Sequence, residues 1–189
     1  MYRINDNPPD KWPEIPIASP GDPWWIAKIR PRMEKLFAVD CKDGGFPYYL
    51  PFVLRITRRR DNNKPRKSIV PLFPGYATFR CAKGRQYDIW ETGRIVRIVE
   101  VRNQQRLMKE LEQIEIVLAN GIRLEPLQDY TIGTPVRVRT GPLRGIEGIV
   151  QKSLKQMKLI LSVEGIGQAV CKVDAGDVEP VAKSAPAVG

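Results

Sequence analysis

The chain has 189 residues, 42% hydrophobic and 28% charged, which suits one or two compact domains and excludes a disordered or fibrous protein. Thirty-one lysines and arginines against 21 acids leave a net charge of +10, a field that draws polyanions and makes nucleic acid the leading partner class. There is no histidine, so imidazole bases, Ser-His and Cys-His nucleophile pairs and His-containing zinc sites are excluded.

The start, MYRINDNPPD, offers no apolar stretch for a signal peptide, and no apolar run approaches the roughly 20 residues of a membrane span. Cys41, Cys81 and Cys171 lie far apart with no CxxC. These features predict reduced thiols in a soluble, cytoplasmic protein without membrane contact. Six prolines in residues 1–23 predict a flexible tail, because proline lacks the amide proton that helices and central strands use. Trp12 within it reads either as a docking anchor or as a lone exposed aromatic.

From Trp24, WWIAKI predicts a buried strand. After Pro31, a favoured first helical residue, Met33, Leu36, Phe37 and Cys41 recur at helical spacing until Gly44 and Gly45 stop the helix. YYLPFVLRI and VPLFPGYATFR predict strands on either side of RRRDNNKPRK, whose polar, turn-forming residues suit an exposed hairpin tip. A polar stretch, CAKGRQYDIWETG, leads to the short strand RIVRIVEV. A second helix follows, with Asn103 as N-cap, an apolar stripe of Leu107, Leu111, Ile114 and Leu118, and a stop at Asn120 and Gly121. This β-α-β-β-β-α order predicts an α+β first domain over 24–121.

Residues 122–131 read as a linker, and 132–181 as closely spaced short strands joined by Gly turns, the pattern of a small β-barrel. Val136 and Val138 alternate with Arg137 and Arg139, as a strand with one buried face requires. SLKQMKLIL has helix-capable residues, yet the Gly turns and the alternation favour strands. Residues 182–189 read as a loose tail.

Two motifs, WWIAKIRPRMEKLF with PLFPGYATF in the first unit and IGTPVRVRTGPLRGIEGIV opening the second, together resemble the NusG family of transcription elongation factors. Gly133, Val136, Gly141, Pro142, Gly145, Gly148 and Val150 follow the KOW pattern. The resemblance implies an NGN domain, an antiparallel sheet flanked by helices, linked to a five-stranded SH3-like KOW barrel. It also implies a monomeric, non-enzymatic antitermination or elongation factor without cofactor or metal, whose NGN domain binds the clamp helices of the largest catalytic subunit of RNA polymerase and suppresses pausing.

On this resemblance the RNA polymerase-binding residues are Trp25, Pro71, Phe73, Pro74, Tyr76 and Phe79, with Thr78 standing where the family usually has an aromatic or aliphatic residue. Trp24, Ile26 and Leu72 read as core. Lys28, Arg30, Arg32, Arg85 and Gln86 are candidates for non-template DNA or nascent RNA, against the alternative of a solvated basic face. Leu143, Ile146, Ile166 and Gln168 occupy barrel loop positions that in NusG contact the ribosomal protein NusE and the termination factor Rho, and Arg144 beside them completes the candidate partner-binding set. Aliphatic and neutral residues here put both contacts in question and favour a specialised paralogue of the RfaH or LoaP kind.

Other basic groups carry two readings each. Arg144, Lys152, Lys155 and Lys158 supply RNA phosphate contacts or a solvated barrel surface. Arg58, Arg59, Arg60 and Lys64 form a solvated loop, the preferred reading, or a nucleic-acid arm. Trp90 reads as core rather than as a stacking platform. A ribosome-associated or free RNA-binding module is the alternative function. The scattered carboxylates, Glu34, Asp40 and Asp43 among them, form no paired-acid, metal or phosphate motif that would suit an enzyme.

Overall fold

The computed structural model describes residues 7–127, 133–152 and 157–181. The chain divides between Lys109 and Glu110 into two compact units.

In the first unit β1 (Lys11–Trp12), β2 (Trp24–Ile29), β3 (Tyr48–Tyr49), β6 (Tyr76–Arg80) and β7 (Ile95–Glu100) form an antiparallel sheet in the order β1-β3-β6-β2-β7. Alternation along WWIAKI puts Trp25, Ala27 and Ile29 on one face, against helix α1 (Glu34–Asp43) through Phe37, Ala38 and Cys41. Phe37 meets Phe79 edge to face, with centroids 5.9 Å apart, the arrangement that ring quadrupoles favour. Among the described residues, strands β4 (Phe52–Arg58) and β5 (Pro65–Pro71) pair only with each other.

Both long apolar runs are broken at proline-bearing turns. YYLPFVLRI is cut between Tyr49 and Phe52, and the Phe73–Tyr76 turn separates β5 from β6. A short helix α2 (Gln86–Trp90) within the polar stretch carries the chain from β6 to β7, with Ile89 buried in the core. Trp90, expected in the core, is 40% exposed, and Tyr87 is 65% exposed.

The expected flexible tail is, from residue 7 onward, laid against the sheet. Lys11 and Trp12 pair with Tyr49 and Tyr48, Pro9 O accepts from Tyr48 Oη at 2.9 Å, Asp10 O accepts from Leu50 N at 2.7 Å, and Ile17 is fully buried. The prolines are compatible with this because an extended edge segment can be held through its carbonyls, which proline retains. Trp12 packs partly buried against the core and so is not a lone exposed aromatic.

Helix α3 (Gln104–Ala119) begins as expected, with Asn103 Oδ1 accepting from Arg106 N at 3.0 Å. Its buried stripe ends on Val117 rather than Leu118. The division between units falls inside this helix, ahead of the boundary expected at 121. Within the second unit, Gln113 Oε1 accepts from Glu147 N at 2.7 Å and Glu110 Oε2 accepts from Glu164 N at 2.8 Å.

That unit holds an antiparallel sheet in the order β13-β9-β10-β11-β12-β8, made of β8 (Glu125–Leu127), β9 (Thr134–Val138), β10 (Glu147–Lys152), β11 (Met157–Val163), β12 (Gly167–Val173) and β13 (Val178–Pro180). Six strands stand where five were expected, because residues 125–127 of the expected linker pair with β12. Gly148 permits a close strand crossing, since a Cβ there would meet Ile160 O at 2.5 Å. The chain is thus an α+β protein with a β-rich second unit. Among the described residues no helix is long and apolar enough to cross a membrane.

Candidate functional site

The Phe73–Tyr76 turn is held from two sides. Gly75 takes φ +82°, a conformation that costs glycine little, and Tyr76 N donates to Phe73 O at 3.1 Å. Gly75 O accepts from Ile29 N at 2.8 Å, while Gly75 N donates to the buried Glu34 carboxylate at 2.9 Å. Glu34 opens α1, so its side chain ties the turn to the helix, while the Ile29 amide ties it to the sheet.

Directly opposed residues of an antiparallel ladder share a face. On the face away from α1 this gives three rows: Arg80 with Trp24; Thr78, Ile26 and Val99; and Tyr76, Lys28 and Arg97. The first row is sealed. Arg80 Nε donates to Asp22 O at 2.7 Å, Nη1 donates to Ser19 O at 2.9 Å, and the guanidinium lies 5.2 Å from the Trp24 ring. Burial lowers the Arg80 pKa, with Asp22 acting the other way. In the middle row Thr78 is buried, with Oγ1 donating to Tyr49 O at 3.1 Å, and contributes no surface.

The last row is open. Tyr76 is half-buried, Lys28 and Arg97 are exposed, and Pro74, Arg30, Arg32 and Val96 around them are exposed too. Among the described residues, Lys28, Arg30, Arg32 and Arg97 make no ion pair, whereas the neighbouring Arg94 is bound to Asp40 at 3.0 Å. Lys28 directly opposite Arg97 is mildly unfavourable in the isolated protein and suits an anionic partner. Arg97 was not singled out from the sequence, although the alternation in RIVRIVEV placed it on a strand.

The proposed polymerase-binding residues therefore separate. Trp25 and Phe79 belong to the core, Phe73 is only 6% exposed, and Pro71 is half-buried; Pro74 and Tyr76 reach the surface. The DNA candidates separate as well. Because β6 runs antiparallel to β2, Arg85 and Gln86 leave the sheet at the Trp24 end, opposite Lys28, Arg30 and Arg32. Arg85 is held by Asp88 at 3.1 Å and lies 4.9 Å from the Phe46 ring, and Gln86 Oε1 accepts from Gly84 N at 2.6 Å.

In the second unit Leu143, Ile146 and Gln168 are buried, Ile166 is half-buried and Arg144 is exposed. Gln168 lies in β12 rather than in a loop, its Nε2 donating to Ser162 Oγ at 2.9 Å. A small sheet has few interior positions, so aliphatic loop residues are drawn in to complete its core. Lys158 stands opposite Lys172 on β11 and β12, both exposed. Lys155 and the side chain of Lys152 lie outside the described residues.

All three cysteines are free and buried. Burial pushes the Cys81 and Cys171 thiols up to about 11 and Cys41 well above its ordinary value. Among the described residues no group of three or more His, Cys, Asp or Glu gathers to hold a metal.

No protein-family model matches the chain, and no curated protein matches it. Among solved structures, one described as domain interaction in Thermotoga maritima NusG is similar at 17% identity, over 85% of this chain and 97% of that one, with a TM-score of 0.46. Another, an MjSpt4:Spt5 complex in conformation B, is similar at 16% identity, over 85% of this chain and 97% of that one, with a TM-score of 0.26.

Proposed function

We propose that this protein is a non-enzymatic transcription elongation or antitermination factor, a specialised relative of NusG of the RfaH or LoaP kind. Its first unit binds the clamp helices of the largest RNA polymerase subunit. The observation that carries this reading is the braced Phe73–Tyr76 turn of the PLFPGY motif, which holds Tyr76 and Pro74 at the surface beside Lys28 and Arg97. An aromatic anchor flanked by cations that make no ion pair among the described residues suits a partner helix with acidic groups at its rim. Arg30 and Arg32 continue the positive surface toward non-template DNA or nascent RNA.

The action is differential binding: a polymerase held with its clamp closed is disfavoured from pausing, and no bond is made or broken. In the second unit Arg144 and the half-buried Ile166 are the groups available to a further partner, while the buried Leu143, Ile146 and Gln168 support them from within. The exposed Lys158–Lys172 pair favours a second reading, a KOW-type RNA-binding protein that is free or ribosome-associated.

The test is retention of purified core RNA polymerase by the full-length protein and by Tyr76→Ala with Lys28→Ala at physiological salt. Retention by the parent alone supports the clamp reading. Failure of both to retain polymerase, with RNA affinity that falls steeply with salt, selects the second reading.

A further inference from the structure

We propose that the β4–β5 hairpin is an arm that enters the major groove of duplex DNA, a binding element separate from the surface around Tyr76. Residues 52–71 hold seven cations, Arg55, Arg58, Arg59, Arg60, Lys64, Arg66 and Lys67, against Asp61 alone, which is six of the chain's ten net positive charges. All seven are exposed and none makes an ion pair among the described residues.

The register shows how they are spread. Arg55 and Arg66 lie on one face of the ribbon, with Thr57 and Ser68. Arg58 and Lys67 lie on the other, and Arg59, Arg60 and Lys64 surround the tip, where Arg59 N donates to Lys64 O at 2.9 Å. Charge on every side suits a ligand that surrounds the arm, as the two phosphate walls of a groove do; a flat anionic surface would need it on one side only.

Shape narrows the choice. Two strands of seven residues span roughly 20 Å, and a two-stranded ribbon fits the B-form major groove, about 12 Å wide, but not the deep, narrow one of A-form RNA. Single strands are bound by stacking bases on aromatic rings, and residues 53–70 contain no aromatic residue. In their place Leu54 and Ile56, each 48% exposed, continue along one face the apolar line that begins at the buried Phe52. Exposed aliphatic groups among arginines match the floor of a major groove, where thymine methyls are the apolar feature.

The arm is aimed by its base. Leu72 N donates to Pro51 O at 2.8 Å, closing the ribbon. From α1, Lys35 Nζ donates to Ile69 O at 2.8 Å and lies 5.7 Å from the Phe52 ring. Lys35 is thereby committed to anchoring the hairpin, and the seven outer cations remain for phosphate.

The inference goes beyond the polymerase-binding reading and does not rest on it. It is tested by fluorescence anisotropy of the full-length protein with a two-turn DNA duplex, its separated strand and an RNA duplex of the same sequence, across a salt series. The variants are Arg59→Ser with Arg60→Ser and Lys64→Ser, whose side chains make no hydrogen bond or ion pair among the described residues; Leu54→Thr with Ile56→Thr; and, on the other surface, Lys28→Ser with Arg97→Ser. The DNA duplex is expected to bind tightest, and the tip variant to make the slope of log affinity against log salt shallower by roughly 2 to 3. The aliphatic variant should bind the duplex more weakly at an unchanged slope, with circular dichroism confirming the fold of each protein. A tip variant that keeps the parental slope, an RNA duplex or single strand bound as tightly as DNA, or a parent protein that binds no duplex would each overturn the proposal.

Discussion

The two ends of the β2–β6 ladder are built from the same alternating strands, yet one is closed and the other open. At the Trp24 end, backbone carbonyls of Ser19 and Asp22 take up the Arg80 guanidinium and the Trp24 ring lies against it. At the Lys28 end, Tyr76, Lys28 and Arg97 form a row with no ion pair among the described residues. Cations in a strand do not by themselves mark a binding surface: Arg80 is structural because a proline-rich segment supplies acceptors in the right places, and Lys28 is available because none of the described residues does.

The largest effect that would test this contrast lies beneath it. Phe79→Ala removes a fully buried ring and its edge-to-face partner contact with Phe37, and is expected to cost about 3 to 5 kcal/mol. Urea denaturation measures this, and a loss below about 1 kcal/mol would contradict the core assignment. Next comes Arg80→Ala, which removes two part-buried hydrogen bonds to the Asp22 and Ser19 carbonyls and a cation–π contact. A loss of about 2 kcal/mol is expected, together with faster proteolysis within residues 14–23, where Arg80 is the fastening. Unchanged proteolysis would show that Ile17 and the β1 pairing hold the segment unaided.

Much of this contrast was legible in the sequence, though its decisive part was not. WWIAKI, the α1 spacing and the Asn103 cap follow from local periodicity and chemistry, which act over a few residues. The fate of residues 7–23 depends on carbonyl acceptors meeting Leu50, Tyr48 and Arg80, dozens of positions away, and composition alone reads as a tail. The same limit applies to the binding residues. PLFPGY was recognisable, but whether Phe73 or Tyr76 faces solvent depends on how the turn after Pro71 rotates the chain, and Gly75 with Glu34 fixes that rotation. Arg85 and Lys28 are both nucleic-acid candidates in the sequence; antiparallel pairing sends them to opposite ends of the sheet.

Alkaline titration probes the closed regions of both units through the cysteines. Cys81 and Cys171 are raised to about 11 and Cys41 is raised well above 9.0, all chiefly by burial. In the folded state these thiols hold their protons more tightly than in the unfolded chain, so stability is fully present below about pH 9 and is lost as pH rises toward 11. The melting temperature should fall across that window, and Cys81→Ala should lessen the fall. In the native protein at pH 8 the thiols should alkylate far more slowly than in urea, because the thiolate is the reactive form. Rapid native alkylation would show that the buried side of the sheet opens readily.

The smallest effect on stability belongs to the open end, where the effect on binding should be largest. Tyr76 is half-buried and its turn is held by backbone and Glu34 contacts, so Tyr76→Ala should cost about 1 kcal/mol. Lys28→Ala removes one member of a like-charged pair and should leave stability within about 0.5 kcal/mol of the parent. An aromatic anchor at the centre of an interface is worth about 2 kcal/mol or more, so on the proposed clamp reading polymerase affinity should fall roughly 30-fold in the Tyr76→Ala protein while its melting curve barely moves. Phe73→Ala would confuse the two quantities, because that ring is buried and its loss would weaken the fold and the turn together. Parallel losses of stability and affinity in Tyr76→Ala would erase the distinction between the two ends; a loss of affinity alone would locate the working surface at the row of Tyr76, Lys28 and Arg97.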